Sequence, residues 1–493
     1  MEIKSLKDQI ISHILKFSFG VTISGIGQFV NQYFAALLLG PATFGIWQGA
    51  QLILSYAGIA NLGSMEGMHR EIPILNGKKE NEKISEIKNT VFIYNFITTV
   101  LLCLLIFAAT FFIKGSPQLI LSLRFISLIL FIQFFRSFME TWLKSNNFFD
   151  VISKLSIIDG VGLALSAVLI YFFSFVGFLA GCTLTLFIST AYAFLSTRIL
   201  VTPKWNGKIF KELVLIGFPI MVIGISQALF QTVDRMLILK FLDAKSLGIY
   251  SISWMAFLPV VYIFYAATSV MFPRTGEKFG ATMKEEDIKN YIVTPTKILS
   301  LLSAVIIGAI YIVLPAVIGF FLPAYVAGLG AARIMIFTLF FFNAVGMVGN
   351  FFLVTNRQYL YLGCLLSGVV INLILGYIFL KLGLGIVGVA IGASISYFFF
   401  FSVMIILLIY YCKEKIKEGL KLVAEIMLPL IYVLLVSLLI EKFIVIDGSN
   451  ILGLAKDIIV KELVFLALSS WLGYLFLKKI GFKKLKLLLL WIK

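Results

Sequence analysis

The sequence predicts an all-α integral membrane protein with about 14 transmembrane helices, and three observations support this fold class. Hydrophobic residues make up 60% of the 493 positions and charged residues only 13%, whereas soluble domains carry about a quarter charged residues. The mean hydropathy is +1.03. Apolar runs such as 91–113 and 384–410 are nearly unbroken over the length that crosses a bilayer. Because barrel strands would alternate in polarity, these runs predict helices.

Hydropathy along the chain places the spans, and the lysine and arginine residues orient them. Roughly thirty of the 41 lysine and arginine residues fall in loops on one side of this arrangement, and about nine fall on the other side. The positive-inside rule therefore predicts a multi-pass membrane protein with both termini in the cytoplasm. The predicted spans lie near 16–39, 44–66, 90–113, 119–141, 155–174, 176–198, 212–240, 246–272, 297–322, 328–352, 362–381, 384–410, 423–441 and 459–477.

The motif content argues against metal, nucleotide and nucleic-acid chemistry. The two histidines, His13 and His69, cannot form an HExxH zinc helix, and the four cysteines are scattered without a CxxC pair. Residues 383–388 match GxGxxG, but they lie in a tight turn between two spans and follow no strand. The lysines are distributed one loop at a time, as anionic lipid headgroups would favour. We therefore expect no cofactor, no metal and no nucleic-acid partner.

An internal repeat divides the predicted helices. Residues 31–47 align with 234–250 at a constant offset of 203 without gaps, and 177–181 align with 388–392 at an offset of 211. The polar and glycine members of these pairs argue against a chance match between apolar segments. The aligned pairs include Gln28 with Gln231, Asn31 with Asp234, Gly45 with Gly248 and Trp47 with Tyr250.

This repeat predicts the domain organisation. Residues 1–205 form an N-terminal six-helix lobe and residues 206–412 form a C-terminal six-helix lobe. Residues 413–493 contain an unpaired helix pair, helices 13 and 14, and a basic cytoplasmic tail. An even number of helices in each copy keeps both copies in the same orientation, so the pseudo-repeat is parallel and its axis runs along the membrane normal. Two such bundles are expected to enclose a cavity.

Polar residues within the predicted spans mark the candidate site, because such groups are costly in hydrocarbon and usually face a bundle interior or a wet cavity. The Gln28–Asn31 and Gln231–Asp234 pairs are spaced i, i+3, which places each pair on one helix face. For each, a helix-packing hydrogen bond is the alternative to a binding role. The remaining members are Arg235 beside Asp234, Arg136 and Glu140 at i, i+4 spacing suited to an ion pair, and Glu66 and Arg70 at the end of the second helix, where Arg70 could also snorkel to headgroups.

At this point a family resemblance applies. The segment 232–250, its degenerate copy ending in Phe44-Gly-Ile-Trp47, and the turn 383–392 resemble the polysaccharide transport branch of the multidrug/oligosaccharidyl-lipid/polysaccharide exporter superfamily. That branch includes O-antigen and capsule repeat-unit flippases. The resemblance covers essentially the whole chain, and its motif is more specific for the superfamily than for a substrate.

The resemblance implies a flippase rather than an enzyme. The substrate would be an undecaprenyl-pyrophosphate-linked polysaccharide repeat unit, moved by alternating access from the cytoplasmic to the outer leaflet of the bacterial cytoplasmic (inner) membrane. The implied partners are this polyprenyl-diphosphate-linked glycan, the lipid bilayer and other membrane proteins of polysaccharide assembly. Arg70 and Arg235 would contact the head group and Asp234, Gln28, Asn31 and Gln231 would line the path, with Arg136, Glu140 and Glu66 as a second cluster. The chain departs from the lipid II flippase in having few arginines in its first two helices.

Two other functions remain as alternatives. A cation-coupled multidrug exporter of the same superfamily shares the two-lobe plan, and Asp159 and Asp234 keep it open, although such proteins usually stop at about twelve helices. A membrane-embedded polysaccharide polymerase or ligase would need a catalytic constellation, commonly on a large outer loop. The longest outer loop, 441–458, contains no histidine and no close carboxylate pair.

Overall fold

The computed structural model describes residues 2–197, 199, 201–282, 284–444 and 451–480. Helices account for nearly all of these residues, and no strand occurs in this part of the chain. Two 3-10 helices cover Ala57–Asn61 and Pro323–Gly328. The α-helices are α1 (Glu2–Tyr56), α2 (Ser64–Lys78), α3 (Asn81–Ala109), α4 (Pro117–Ser145), α5 (Phe149–Thr197), α6 (Gly207–Phe241), α7 (Ala244–Thr282), α8 (Glu285–Phe321), α9 (Leu329–Val354), α10 (Gln358–Lys381), α11 (Gly385–Tyr411), α12 (Ile416–Phe443) and α13 (Ile451–Ile480).

The predicted all-α membrane fold is confirmed. Within the described residues, ten helical segments are long and apolar enough to cross a membrane. Two of them, Lys16–Asn61 and Phe149–Thr197, have 46 and 49 residues, enough for two crossings each at about 1.5 Å per residue. Each is interrupted by one non-helical residue, Gly40 (φ 72°) in α1 and Ser174 (φ 51°) in α5. These interruptions lie where the predicted spans adjoin, and the total of fourteen spans stays a prediction.

The second predicted span, 44–66, differs from the structure. The helix that follows Gly40 ends at Tyr56, a 3-10 helix follows, and α2 begins only at Ser64 and continues to Lys78. Leu62 and Gly63 both have positive φ, 50° and 84°. A hydropathy profile does not detect this break, because the interrupting residues are themselves apolar or small.

Glycines of the second repeat match occupy equivalent places in two helical hairpins. Gly181, in the second half of α5, packs on Ser166 in the first half, where a Cβ on the glycine would lie 2.5 Å from the serine side chain. Gly392 of α11 packs on Gly376 of α10, where a Cβ would lie 2.8 Å from the backbone nitrogen. The same close hairpin packing therefore recurs in both copies of the repeat.

Glycines of the first repeat match contact each other. A Cβ on Gly45 would lie 1.7 Å from the carbonyl oxygen of Ala244, and a Cβ on Gly248 would lie 1.9 Å from the carbonyl oxygen of Pro41. Pro41 and Ala244 are themselves partners at the offset of 203. The contact between α1 and α7 thus repeats itself with the roles exchanged, as expected at a local pseudo-two-fold axis. Only glycine permits this approach of the two backbones.

Contacts between Cα atoms group the chain into two compact units. One runs from His13 to Ser251, and the other contains the described residues from Ile252 onward together with the start of the chain. Helix α6 belongs to the first unit because it packs on α2, where a Cβ on Gly217 would lie 1.8 Å from the carbonyl oxygen of Gly63. The predicted lobe boundary between 205 and 206 follows the sequence repeat and stays a proposal.

Ion pairs hold α12 against the other helices of the second unit. The Arg333 guanidinium of α9 donates to Glu441 of α12 at 2.5 Å, and Lys297 of α8 pairs with Glu425 of α12 at 2.5 Å. Helix α13 also packs on α8, and its Phe465 is fully buried. The two helices that lack a partner in the repeat are therefore integral to this unit.

Replacing Gly45 by alanine should destabilise the first unit. The new Cβ would overlap the Ala244 carbonyl, so α1 and α7 must separate, at a cost of about 2 kcal/mol. Gly224→Ala is the matched control, because a Cβ there meets nothing within 4 Å and alanine favours a helix by about 1 kcal/mol over glycine. Thermal unfolding of the purified chain in detergent measures both changes, and equal stability of Gly45→Ala and the parent would contradict the close crossing.

Candidate functional site

A stripe of charged residues runs along one face of α4. Arg136, Glu140 and Lys144 follow at i, i+4 and i+8, which places them on successive turns. Glu140 Oε1 accepts from Lys144 Nζ at 2.7 Å, and Glu140 Oε2 lies 4.0 Å from Arg136 Nη2. The expected pairing of Arg136 with Glu140 is present at the limit of ion-pair distance, and Lys144 is the nearer partner of Glu140.

Asp159 of α5 is the main partner of Arg136. Arg136 Nη2 donates to Asp159 Oδ2 at 2.9 Å, and the arginine is only 8% exposed, so its charge needs a close counter-ion. The sequence analysis did not pair these two residues. A usable signal was present, since α4 and α5 form a hairpin and both residues lie about ten positions from its turn, at the same depth.

Glu66, the third member of the predicted second cluster, forms no ion pair with Arg136 in the described structure. It lies in the first turn of α2 and is half-buried. Its Oε2 atom is buried without a hydrogen-bond partner, and so is Arg136 Nη1. The structure therefore links α4 with α5 at this cluster and leaves Glu66 as a separate polar group.

The repeat partners Asn31 and Asp234 are both almost fully buried. Asn31 Nδ2 of α1 donates to Ser166 Oγ of α5 at 2.6 Å, and the Tyr250 hydroxyl of α7 donates to Asp234 Oδ2 of α6 at 2.6 Å. Each of the two residues thus links its own helix to a neighbouring helix. In this conformation both residues form hydrogen bonds that pack helices together. Their place on a substrate path remains a prediction.

Gln28, Gln231 and Arg235 are half-buried. Arg235 Nη2 donates to the backbone carbonyl of Gln231 at 3.0 Å, so the guanidinium folds back along its own helix, α6. Gln28 lies about one turn before Asn31 on α1. Of the predicted residues, these three keep more of their surface accessible than the buried pair Asn31 and Asp234.

Arg70 is exposed on α2 and forms no ion pair with an acidic residue in the described part of the chain. It lies about one turn beyond Gly67, which packs on Leu213 near the start of α6. Arg235 lies near the other end of α6, about 33 Å from Leu213 at 1.5 Å per residue. The structure therefore does not bring together the two arginines expected to contact the head group.

Two amide contacts were missed by the sequence analysis. Gln48 Nε2 donates to Gln32 Oε1 at 2.8 Å across the break at Gly40, and Asn95 Nδ2 of α3 donates to the hydroxyl of Ser64, the first residue of α2, at 2.8 Å. The repeat alignment gave no signal for either contact, because the residues aligned with these amides in the second copy do not have amide side chains. Both contacts help to hold the broken second span in place.

The chemistry of this set suits a ligand with an anionic head and a polar body. Guanidinium groups bind phosphate oxygens through charge-assisted hydrogen bonds, and Arg70 and Arg235 offer such donors at two depths. Half-buried amides such as Gln28 can exchange hydrogen bonds with hydroxyl groups. The Arg136–Asp159 pair is electrically balanced, so it contributes structure rather than a free charge.

A model of the polysaccharide biosynthesis protein family matches residues 34–327. A search of curated proteins finds no match.

Solved structures with the same fold are transporters. The lipid II flippase MurJ in an inward closed conformation aligns with a TM-score of 0.73 at 16% identity, covering 94% of this chain and 99% of that chain. A multidrug resistance MATE family transporter of the MOP superfamily aligns in its outward-facing conformation with a TM-score of 0.59 at 16% identity, covering 82% and 96% of the two chains. An inward-facing MATE structure aligns with a TM-score of 0.56 at 16% identity, covering 81% and 95%. The fold is that of MurJ and the MATE transporters.

Replacing Asp159 by alanine should destabilise the protein by about 3 kcal/mol, since it leaves a buried guanidinium without its counter-ion. Asp150→Ala is the matched control: Asp150 pairs with Lys16 at the same 2.9 Å, but both side chains are about half exposed, so the cost should stay below about 1 kcal/mol. The double variant Arg136→Met/Asp159→Leu should recover most of the loss. Thermal unfolding compares the three variants, and equal effects of Asp159→Ala and Asp150→Ala would refute a structural role for the buried pair.

Proposed function

We propose that this chain, which belongs to the polysaccharide biosynthesis protein family, is a flippase for an undecaprenyl-pyrophosphate-linked polysaccharide repeat unit. It would move this substrate from the cytoplasmic to the outer leaflet of the bacterial cytoplasmic membrane by alternating access. The observation that carries the proposal is the family match combined with an alignment to a lipid II flippase over 94% of the chain. The MATE alignments leave about a fifth of the chain uncovered.

The physical requirement of this task agrees with the site. A diphosphate and a hydrated glycan cannot cross about 30 Å of hydrocarbon without groups that replace their water. Arg70 lies on α2, about one turn beyond the contact of Gly67 with Leu213 near the start of α6, and Arg235 lies about 33 Å from Leu213 near the other end of α6. With the termini in the cytoplasm, Arg70 lies toward the cytoplasmic side and Arg235 toward the outer side. A diphosphate would meet them in succession.

Alternating access is supported by the solved relatives. A MATE family transporter with this fold has been described in both inward-facing and outward-facing conformations. The repeat adds a mechanical reason, because two parallel lobes can rock against each other around a site near the middle of the membrane.

Arg235→Ala should trap lipid-linked repeat units on the cytoplasmic side and lower surface polysaccharide about tenfold or more, because one charge-assisted contact with phosphate is lost. The measurement is surface polysaccharide in a strain that carries only the variant, at matched expression. Arg124→Ala is the control, since Arg124 is exposed and stacks on Phe111 with 5.5 Å from its guanidinium carbon to the ring centre. Normal surface polysaccharide in the Arg235→Ala strain would count against the assignment.

A cation-coupled exporter is the second candidate, because the MATE transporters share the fold. Surface polysaccharide and drug sensitivity, measured in the same set of strains, distinguish the exporter from the flippase. An exporter would leave surface polysaccharide unchanged in every variant, while deletion of the gene would raise sensitivity to cationic drugs. A flippase would show the opposite pattern.

A further inference from the structure

A charged cleft lies in the second compact unit, where α8, α11 and α12 meet. Its volume is about 530 Å³, open mouth included. The candidate membrane spans of these helices are Ile288–Phe321, Gly385–Tyr411 and Ile416–Phe443, so the cleft lies at span ends, at the level of lipid headgroups. Apolar residues, Leu408 and Leu422 among them, form part of its wall. The charged residues that line it are Lys289, Lys297, Lys421, Glu414, Glu418 and Glu425.

The three ion pairs of the cleft differ in exposure, and the pair of Lys289 with Glu414 has side chains that are 34% and 17% exposed. Lys297 and Glu425, joined at 2.5 Å, have side chains that are 22% and 12% exposed. Lys421 and Glu418, 3.9 Å apart on the first turns of α12, are 60% and 54% exposed. The less exposed pair, Lys297 with Glu425, holds α12 on α8. The more exposed pair, Lys421 with Glu418, is loosely joined and available to an incoming ligand.

We propose that this cleft binds the headgroup of a zwitterionic aminophospholipid, of which phosphatidylethanolamine is the representative. Three lysines and three glutamates balance, so a purely anionic or cationic ligand would leave one sign uncompensated. The phosphate of the headgroup would take the ammonium of Lys421, and its primary ammonium would donate to the carboxylate of Glu418. The ligand thereby replaces one loose ion pair by two charge-assisted contacts.

The membrane setting identifies the source of the headgroup as a lipid. Beyond the cleft, α12 exposes Leu428, Ile431 and Leu435, which are spaced i, i+3 and i+7 and so share one face. Acyl chains can lie against this face while the headgroup occupies the cleft. A soluble phosphate ester would gain nothing from these residues. The site does not depend on the proposed transport function.

Binding of defined lipids to the purified, delipidated full-length chain tests this site. Native mass spectrometry would compare phosphatidylethanolamine, phosphatidylcholine and phosphatidylglycerol, with glycerophosphoethanolamine as the soluble headgroup. We expect one phosphatidylethanolamine to bind most tightly, because the quaternary ammonium of phosphatidylcholine cannot donate a hydrogen bond and phosphatidylglycerol has no ammonium. The double variant Lys421→Ala/Glu418→Ala should weaken this binding about tenfold.

The matched control is Lys413→Ala/Glu286→Ala. That pair, 3.1 Å apart, is also exposed and of the same charge type, but neither residue lines the cleft. It should leave phosphatidylethanolamine binding unchanged. Glu418→Gln, which keeps the side-chain size, should weaken phosphatidylethanolamine and leave phosphatidylglycerol unaffected.

Three results would overturn the proposal. Phosphatidylglycerol binding as tightly as phosphatidylethanolamine would reduce the chemistry to phosphate recognition alone. Glycerophosphoethanolamine binding as tightly as the lipid would make the source a soluble ester. Undiminished phosphatidylethanolamine binding by the folded Lys421→Ala/Glu418→Ala variant would place the lipid elsewhere.

Discussion

The crossing of α1 and α7 at Gly45 and Gly248 is the contact on which the first compact unit depends. Each glycine leaves room for a backbone carbonyl of the other helix, so the helices approach more closely than side chains would allow. Tyr250 follows two residues after Gly248 and donates to Asp234, which buries that carboxylate between α6 and α7. The crossing therefore also fixes the position of the neighbouring Arg235, one of the residues expected to bind the substrate.

The other constraint is the cost of charge in hydrocarbon, and the chain meets it by local pairing. Arg136 is balanced by Asp159 within one helical hairpin. At the span ends, Lys297 is likewise balanced by Glu425 between α8 and α12. Such pairs hold helices together and leave little free charge. Arg70 is exposed and has no acidic partner among the described residues, so it is a better candidate for a ligand contact than a buried and paired arginine.

Sequence patterns predicted the helices well because hydropathy and bilayer thickness act on each segment separately. The predicted junction between 174 and 176 lies at the break at Ser174. The repeat alignment paired Gly45 with Gly248, but it did not predict that these glycines contact each other, as they do in the structure. The interruption of the second span could not be predicted in this way. It places Gly63 against Gly217 of α6, and such a contact depends on two helices distant in sequence. The pairing of Arg136 with Asp159, in contrast, was predictable from the sequence, because both residues lie about ten positions from the turn of one helical hairpin.

The separation of Arg70 and Arg235 bears on how a flippase of this kind could release its cargo. A group that must pass from one site to the next should bind strongly enough to enter and weakly enough to leave. Arg235 already donates to the carbonyl of Gln231, so a phosphate must compete with that acceptor and gains less than it would from an unengaged guanidinium. In the proposed flippase, a moderated contact at Arg235 and a separate contact at Arg70 would pass a diphosphate across the bilayer more readily than one tight clamp, because neither would hold it.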